Sequence, residues 1–189
     1  LFVWLLFRGW AIGRQAARLL PAGVSFIGGH PMAGSEKSGV GAADPFLFQN
    51  ALYVLCPATG VPEEATGELG RLCAAIGARV VVMDAADHDR TVAAVSHLPH
   101  LVASALAAAT PANSRSLAGG GWLDTTRVAA GDAELWRQIL WDNRCYVLSS
   151  LDRFEKVLAS FRDALLRDDP SRLVELLTAG KQNREAVGN

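Results

Sequence analysis

The sequence predicts an α/β unit over residues 1–84 followed by an all-helical unit over residues 85–189, and three observations carry that division. Short runs rich in valine, isoleucine and leucine alternate with a helical pattern as far as Asp84. Beyond Asp84 no strand pattern recurs, and alanine- and leucine-rich stretches follow one another at helical spacing. Glycine and proline punctuate the first part at every turn but break the second at few points.

Taken in order, Gln15 to Leu20 reads as a short amphipathic helix stopped by Pro21 and Gly23. Val24 to Ile27 reads as a buried strand ending at Gly28-Gly29, and His30 to Asp44 as a loop full of turn residues. Ala51 to Cys56 is a second strand, closed by Pro57. Pro62 suits the first turn of a helix from about Glu63 to Ile76, ended by Gly77. Arg79 to Met83 is a third strand with Asp84 at its tip. A long alanine-rich helix then runs from about Ala86 to Ala109, interrupted only around Pro99, where the missing N–H kinks or loosens it. A glycine-rich loop, Ala118 to Thr126, breaks the pattern. Ala133 to Leu148, Leu151 to Arg167 and Ser171 to Glu185 read as three more helices, the last introduced by Asp168-Asp169-Pro170-Ser171, which supplies a turn and an N-cap candidate.

The bulk numbers narrow the function. The 189 residues suffice to bury a core, and a net charge of −1 offers no field for nucleic acid or an anionic membrane. Anion handling must come from a few placed side chains. Cys56, Cys73 and Cys145 show no CxxC spacing and read as reduced, buried thiols of a cytoplasmic protein. The apolar run Leu1 to Phe7 is far shorter than the roughly 20 residues a membrane span needs. With Arg8, Arg14 and Arg18 directly after it and no charged region before it, it reads as cut or misread rather than as a targeting signal.

Three segments carry chemistry. Gly28-Gly29-His30-Pro31-Met32-Ala33-Gly34-Ser35-Glu36-Lys37-Ser38-Gly39 follows a strand, where open α/β sheets place their ligands. Its glycines admit close backbone approach, and His30 at the strand tip suits acid–base work, although a loop histidine beside proline is more often structural or solvated. Ser96-His97-Leu98-Pro99-His100 sits in the long helix. His97 and His100 have no third ligand at suitable spacing, so no metal site is expected. Gly119-Gly120-Gly121-Trp122-Leu123-Asp124-Thr125-Thr126-Arg127 places an arginine, suited to bidentate carboxylate binding, after a close-fitting loop. Alone, it reads as a flexible loop with a surface arginine.

Together, in this order and with His88-Asp89 between the first two, these segments resemble the prephenate/arogenate dehydrogenase family, with its "GGHPMAGSE-SG", "SHLPH" and "GGG-aromatic-x-D-x-TR" motifs. The resemblance runs from about Val24 to Arg184. It implies the C-terminal part of a Rossmann-type domain over residues 1–84 and a helical substrate-binding and dimerisation domain over 85–189. It also implies oxidative decarboxylation of prephenate to 4-hydroxyphenylpyruvate with NAD or NADP in tyrosine biosynthesis. The alternative is arogenate as substrate. By resemblance His30 is the catalytic acceptor for the substrate's 4-hydroxyl, active when neutral, with a pH dependence near roughly 6.5 before perturbation. Ser96 lies near the nicotinamide and His30, His100 lies in the substrate pocket, and Arg127 grips a substrate carboxylate. His97 receives no chemical role. Lys37 reads as a solvated lysine that could steer anions, Glu36 as a loop-organising or gating residue, and Trp122 as loop packing. The expected partner is a second copy, joined through the helical domain.

The chain departs from the family at its start. A dehydrogenase of this kind begins with a strand, a GxGxxG turn and a helix, with an acidic residue about 20 positions on. Gly9-Trp10-Ala11-Ile12-Gly13 and Gly119-Gly120-Gly121 do not fit that fingerprint. The family's aspartate, serine and lysine segment is replaced by Leu-Phe-Val-Trp-Leu-Leu-Phe-Arg-Gly-Trp, which reads as a frameshift or fragment junction. The 189 residues alone are therefore expected to show little or no dehydrogenase activity, with exposed sheet edges and poor solubility. A reading from another class, a non-catalytic dimerising or ligand-binding remnant, is opposed by the intact His30, Ser96, His100 and Arg127.

Overall fold

The computed structural model describes residues 2–5, 16, 19–21, 23–34, 41 and 43–188. The expectations for Gly9–Gly13, Glu36 and Lys37 lie outside these residues, as does most of the helix expected from Gln15. The chain divides into two compact units, Leu1–Val147 and Leu148–Asn189.

The first unit opens on a four-stranded sheet in the order β1 (Phe2–Leu5), β2 (Phe26–Pro31), β3 (Leu52–Pro57), β4 (Arg79–Val82). β1 runs parallel to β2, β3 antiparallel to β2, and β4 parallel to β3. Helix α1 (Glu63–Ala75) makes the crossover between the two parallel strands β3 and β4, as such a connection requires. The core lies between this helix and the sheet: Ile27, Tyr53 and Leu55 from the strands meet Leu69 and Cys73 from α1, with Ala78 beside them. Ile27 and Leu55 are almost wholly buried, and each such side chain stabilises the fold by about 1.5–3 kcal/mol.

β2 is longer than the sequence predicts. It continues through His30 and Pro31, which pair with Val54 and Tyr53 of β3. His30 is thus fixed by the sheet ladder instead of sitting on a loop. The partner strand lies more than twenty residues away in sequence, so no local pattern reports it.

Gly77 ends α1 at φ +91°, with its carbonyl accepting from the Asn50 amide at 2.8 Å. A Cβ there would press on the Gln49 side chain and come within 3.3 Å of its Cα. Gly77→Ala is expected to destabilise the fold by roughly 1–3 kcal/mol, because a side chain strains this backbone region. Urea unfolding of the variant checks it, and an unchanged midpoint refutes it.

After β4, Asp84 caps helix α2 (Ala85–Val92), its carboxylate accepting from the Ala86 and Asp87 amides at 2.7 and 3.3 Å. The helix continues through a π turn (Ala93–His97) into α3 (Leu98–Ala109). Pro99 has no N–H for the carbonyl of Val95, and the Leu98 amide instead reaches back five residues to Ala93. The break at Pro99 takes the form of this wider turn.

A 3₁₀ turn (Ala112–Leu117) precedes α4 (Gly120–Thr126). The expected glycine loop is therefore helical from Gly120. Trp122 anchors it by donating from Nε1 to Thr110 Oγ1 at 3.0 Å, and the Thr125 and Thr126 hydroxyls donate to carbonyls one turn back. A second 3₁₀ turn (Arg127–Ala130) leads to α5 (Ala133–Asp142), capped by Asp132. α5 stops at Asn143, several residues before the expected end at Leu148, because Asn143 is drawn into a buried hydrogen-bond network.

α6 (Arg144–Leu166) begins in the first unit, and the second unit comprises its remainder and α7 (Pro170–Glu185). Within the Asp168–Ser171 segment it is Asp169 that caps α7: its carboxylate accepts from the Arg172 amide at 2.9 Å, and Pro170 occupies the first helical position.

Candidate active site

The sheet and the long helix converge on His30. As β2 leaves the sheet, His30 Nδ1 lies 2.7 Å from His88 Nε2 on α2. His88 Nδ1 lies in turn 2.8 Å from a carboxylate oxygen of Asp89. The cap at Asp84 fixes the phase of α2 and so delivers both residues to the end of β2. His88 is among the most completely buried side chains of the protein. A buried polar group needs its hydrogen bonds, and His88 has one on each ring nitrogen.

His97 and Asn143 form a second buried pair beneath this chain. Asn143 Nδ2 donates to the Asp89 carbonyl at 2.7 Å and lies 3.2 Å from His97 Nδ1. The bond to a carbonyl identifies that atom as the amide nitrogen, so His97 Nδ1 is its acceptor. This supports the reading of His97 as an organiser of the helix break.

A cavity of about 480 Å³ opens beside His30. Three of the four sequence candidates line it: His30 from β2, Ser96 from the π turn and Arg127 from the 3₁₀ turn after α4. Met32, Ala33, Gly34 and Trp136 complete much of its wall. His100 is not among the lining residues. It is buried one step behind, stacked on Trp136 with ring centroids 3.6 Å apart and planes 11° from parallel. Its Nδ1 is buried with no hydrogen-bond partner among the described residues, a cost of about 1–3 kcal/mol unless something else meets it.

Trp136 is the site residue that sequence reasoning missed. Its ring also stands edge-on to His97 at 6.3 Å. No motif marks it, and only the folded chain brings its helix to the Ser96–His100 segment. Trp122, by contrast, ties α4 to Thr110 at the end of α3 and does not line the cavity.

Burial favours the neutral form of three of the site's imidazoles, His30, His97 and His100. Burial, aided by His88 and His97 and opposed by Asp89, pushes His30 down to about 4. Burial likewise pushes His97 down to about 4 against the pull of Asp89, and lowers His100. A neutral His30 is an acceptor throughout the physiological range, so its acid limb belongs near pH 4 rather than near the ordinary histidine value. Cys56, on the strand facing β2, is pushed up to about 12 by burial and by Asp89 and Asp84, and is an inert thiol; Cys73 is buried too, whereas Cys145, expected to be buried, is exposed on α6. Among the described residues no group of three or more His, Cys, Asp or Glu side chains could hold a metal ion.

Comparison with known proteins bears on the family and the fold. A family model for the nucleotide-binding domain of prephenate dehydrogenase matches residues 10–82, and one for its dimerization domain matches residues 84–179. A prephenate dehydrogenase of Bacillus subtilis is 34% identical over 178 residues, covering 91% of this chain and 48% of its own length. An arogenate dehydrogenase structure from Synechocystis superposes with a TM-score of 0.85 at 30% identity, over 98% of this chain and 68% of that one. A prephenate dehydrogenase structure from A. aeolicus, in complex with hydroxyphenyl propionate and NAD+, superposes at 0.78 with 33% identity, over 86% of this chain and 59% of that one. The chain spans about half the length of the curated relatives it matches.

Proposed function

Because the chain belongs to the prephenate/arogenate dehydrogenase family, we propose that it supplies the substrate side of the oxidative decarboxylation of prephenate to 4-hydroxyphenylpyruvate, with NAD or NADP as partner. The observation that carries this reading is the meeting of His30, Ser96 and Arg127, from three separate motifs, on one cavity.

The chemistry assigns each residue a task. Neutral His30 accepts the hydrogen bond of the ring hydroxyl, which draws positive character away from the ring carbon as its hydride departs. Arg127 pairs with a substrate carboxylate through its planar fork. His100, one ring behind the wall with an unmet Nδ1, is assigned to the substrate end of the pocket when Trp136 shifts to admit it. The cavity wall fits the flat nicotinamide end of the cofactor in part: Ser96 offers a hydroxyl, and a Cβ on Gly34 would meet nothing within 4 Å. The nicotinamide, when bound, supplies the hydride acceptor. None of the described residues is assigned to its pyrophosphate.

Arogenate is the second reading, favoured by the likeness to the Synechocystis enzyme. We place the domain boundary at 84/85 and the second copy of a homodimer on the helical part. Exposed Leu158, Leu165 and Leu166 of α6 border an apolar groove there, in a region matching a dimerization domain. Helix Ala85–Ala109 is long and apolar enough to cross a membrane. Its buried His88, Asp89, His97 and His100 would be costly in lipid, so we assign the protein to the cytoplasm.

Calorimetry with prephenate on the 189-residue chain tests the pocket. The chain is expected to bind prephenate, and Arg127→Ala to weaken binding by roughly 10–100-fold, as loss of a charge-assisted pair does. Absence of binding would remove prephenate as the ligand of this pocket. For turnover, a nucleotide-binding half from a family member is fused ahead of Gln15. The fusion is expected to reduce NAD+ with prephenate, and the 189 residues alone to bind without oxidising.

A further inference from the structure

We propose that His88 and Asp89 are positioning residues that fix the tautomer of His30, so that it carries its hydrogen on Nδ1 and keeps Nε2 unprotonated, as an acceptor for the substrate hydroxyl. The inference deepens the reading above and rests on it for the substrate's identity, but not for the state of the ring.

The argument starts from the carboxylate. An ionised Asp89 only accepts, so the 2.8 Å contact places a hydrogen on His88 Nδ1. A neutral imidazole has one N–H, so His88 Nε2 is then an acceptor. The 2.7 Å contact to His30 needs a donor, and with both rings neutral only His30 Nδ1–H can supply it. One tautomer of His30 follows, the one free imidazole side chains favour less. The same bond sets the ring's orientation, since Nε2 lies across the ring from Nδ1 and His30 lines the cavity. A protonated His88 would reverse the second bond and put the hydrogen on His30 Nε2, turning an acceptor into a donor. The two states are chemically opposite for the reaction.

The supports of this relay are themselves tied down. Asp89 is held through its carbonyl by Asn143, and Asn143 also meets His97 in the π turn that carries Ser96. His88 is held through its amide, which donates to the Asp84 carbonyl at 2.9 Å. Such a carboxylate–histidine arrangement fixes imidazole tautomers in hydrolase triads, where the wrong tautomer costs roughly 10⁴-fold in turnover. Here a second histidine is interposed.

Nitrogen NMR of the histidine-labelled 189-residue chain reads the ring directly and needs neither substrate nor cofactor. In the unsubstituted protein His30 is expected to show a protonated Nδ1 and an unprotonated Nε2. His88→Leu, which removes the acceptor, should shift the hydrogen to Nε2. His88→Gln, whose side-chain oxygen again accepts, should return it to Nδ1. A proton on Nε2 in the unsubstituted chain overturns the proposal without any variant having to fold. Retention of the Nδ1 proton in His88→Leu overturns it as well, since another group would then be setting the tautomer. Prephenate calorimetry on the same samples judges the substrate separately: a fixed tautomer without prephenate binding leaves the relay standing and removes the functional reading.

Discussion

His30→Asn is expected to lower prephenate turnover in the fusion roughly 10²–10⁴-fold, the range for loss of a placed acid–base group. Prephenate affinity should change by less than about tenfold, since one neutral hydrogen bond contributes only about 1 kcal/mol. Asparagine is the informative choice because its amide can still donate toward His88 Nε2, which lies 2.7 Å from the ring nitrogen it replaces. The buried His88 therefore keeps a partner, and the fold is not charged with an unmet polar atom. What asparagine cannot do is reach as far as imidazole Nε2 and accept from the hydroxyl. The loss should fall on kcat with KM nearly constant, because the acceptor matters most while positive character builds on the ring carbon. A variant that keeps wild-type kcat, or one that loses only affinity, would remove His30 from the chemistry.

The sequence made legible what depends on neighbours along the chain. Pro99 announced a break in the long helix because a missing N–H is a local fact, and the π turn Ala93–His97 lies immediately before it. Pro62, Gly77 and the valines of β4 marked their elements for the same reason. What escaped depends on partners distant in sequence. Asn143 divides α5 from α6 because its amide is claimed by Asp89 and His97, some fifty residues earlier. Gly120 and Gly121 are helical against their propensity, in a helix anchored by Trp122 through Thr110. Of the site, the motifs supplied His30, Ser96 and Arg127, which share the cavity, and His100, which stands behind it. Trp136 lies in no motif, and its place between two histidines is visible only when α5 docks on the π turn. The pair His88-Asp89 entered only through the family resemblance, and its contact with His30 is a fact of the fold.

The second large effect is on stability against acid. His30 and His97 both have folded pKa values pushed from 6.5 to about 4, first by burial and then by neighbouring histidines. His100 is lowered by burial as well. A depressed histidine pKa means that the unfolded chain binds the proton more tightly than the folded one. Across the window from about 6.5 down to 4 the unfolded state therefore holds more protons, and stability falls as pH falls. Above pH 6.5 the contribution is fully present; by pH 4 it is spent. Two such groups give a limiting slope of about 2.7 kcal/mol per pH unit in mid-window. Partial solvent access at His30 reduces this, leaving a total on the order of several kcal/mol. Against the roughly 5–15 kcal/mol by which small proteins are stable, that loss is enough to unfold much of the population near pH 4. Urea unfolding at a series of pH values measures it directly. The midpoint should fall steeply between pH 6.5 and 4.5, and His97→Gln should flatten the slope by about half if that variant folds. A midpoint that stays level over this window would mean that the histidines remain solvated enough to titrate normally. Nothing would then hold His30 neutral at low pH, and the acid limb of turnover would return to the ordinary histidine range.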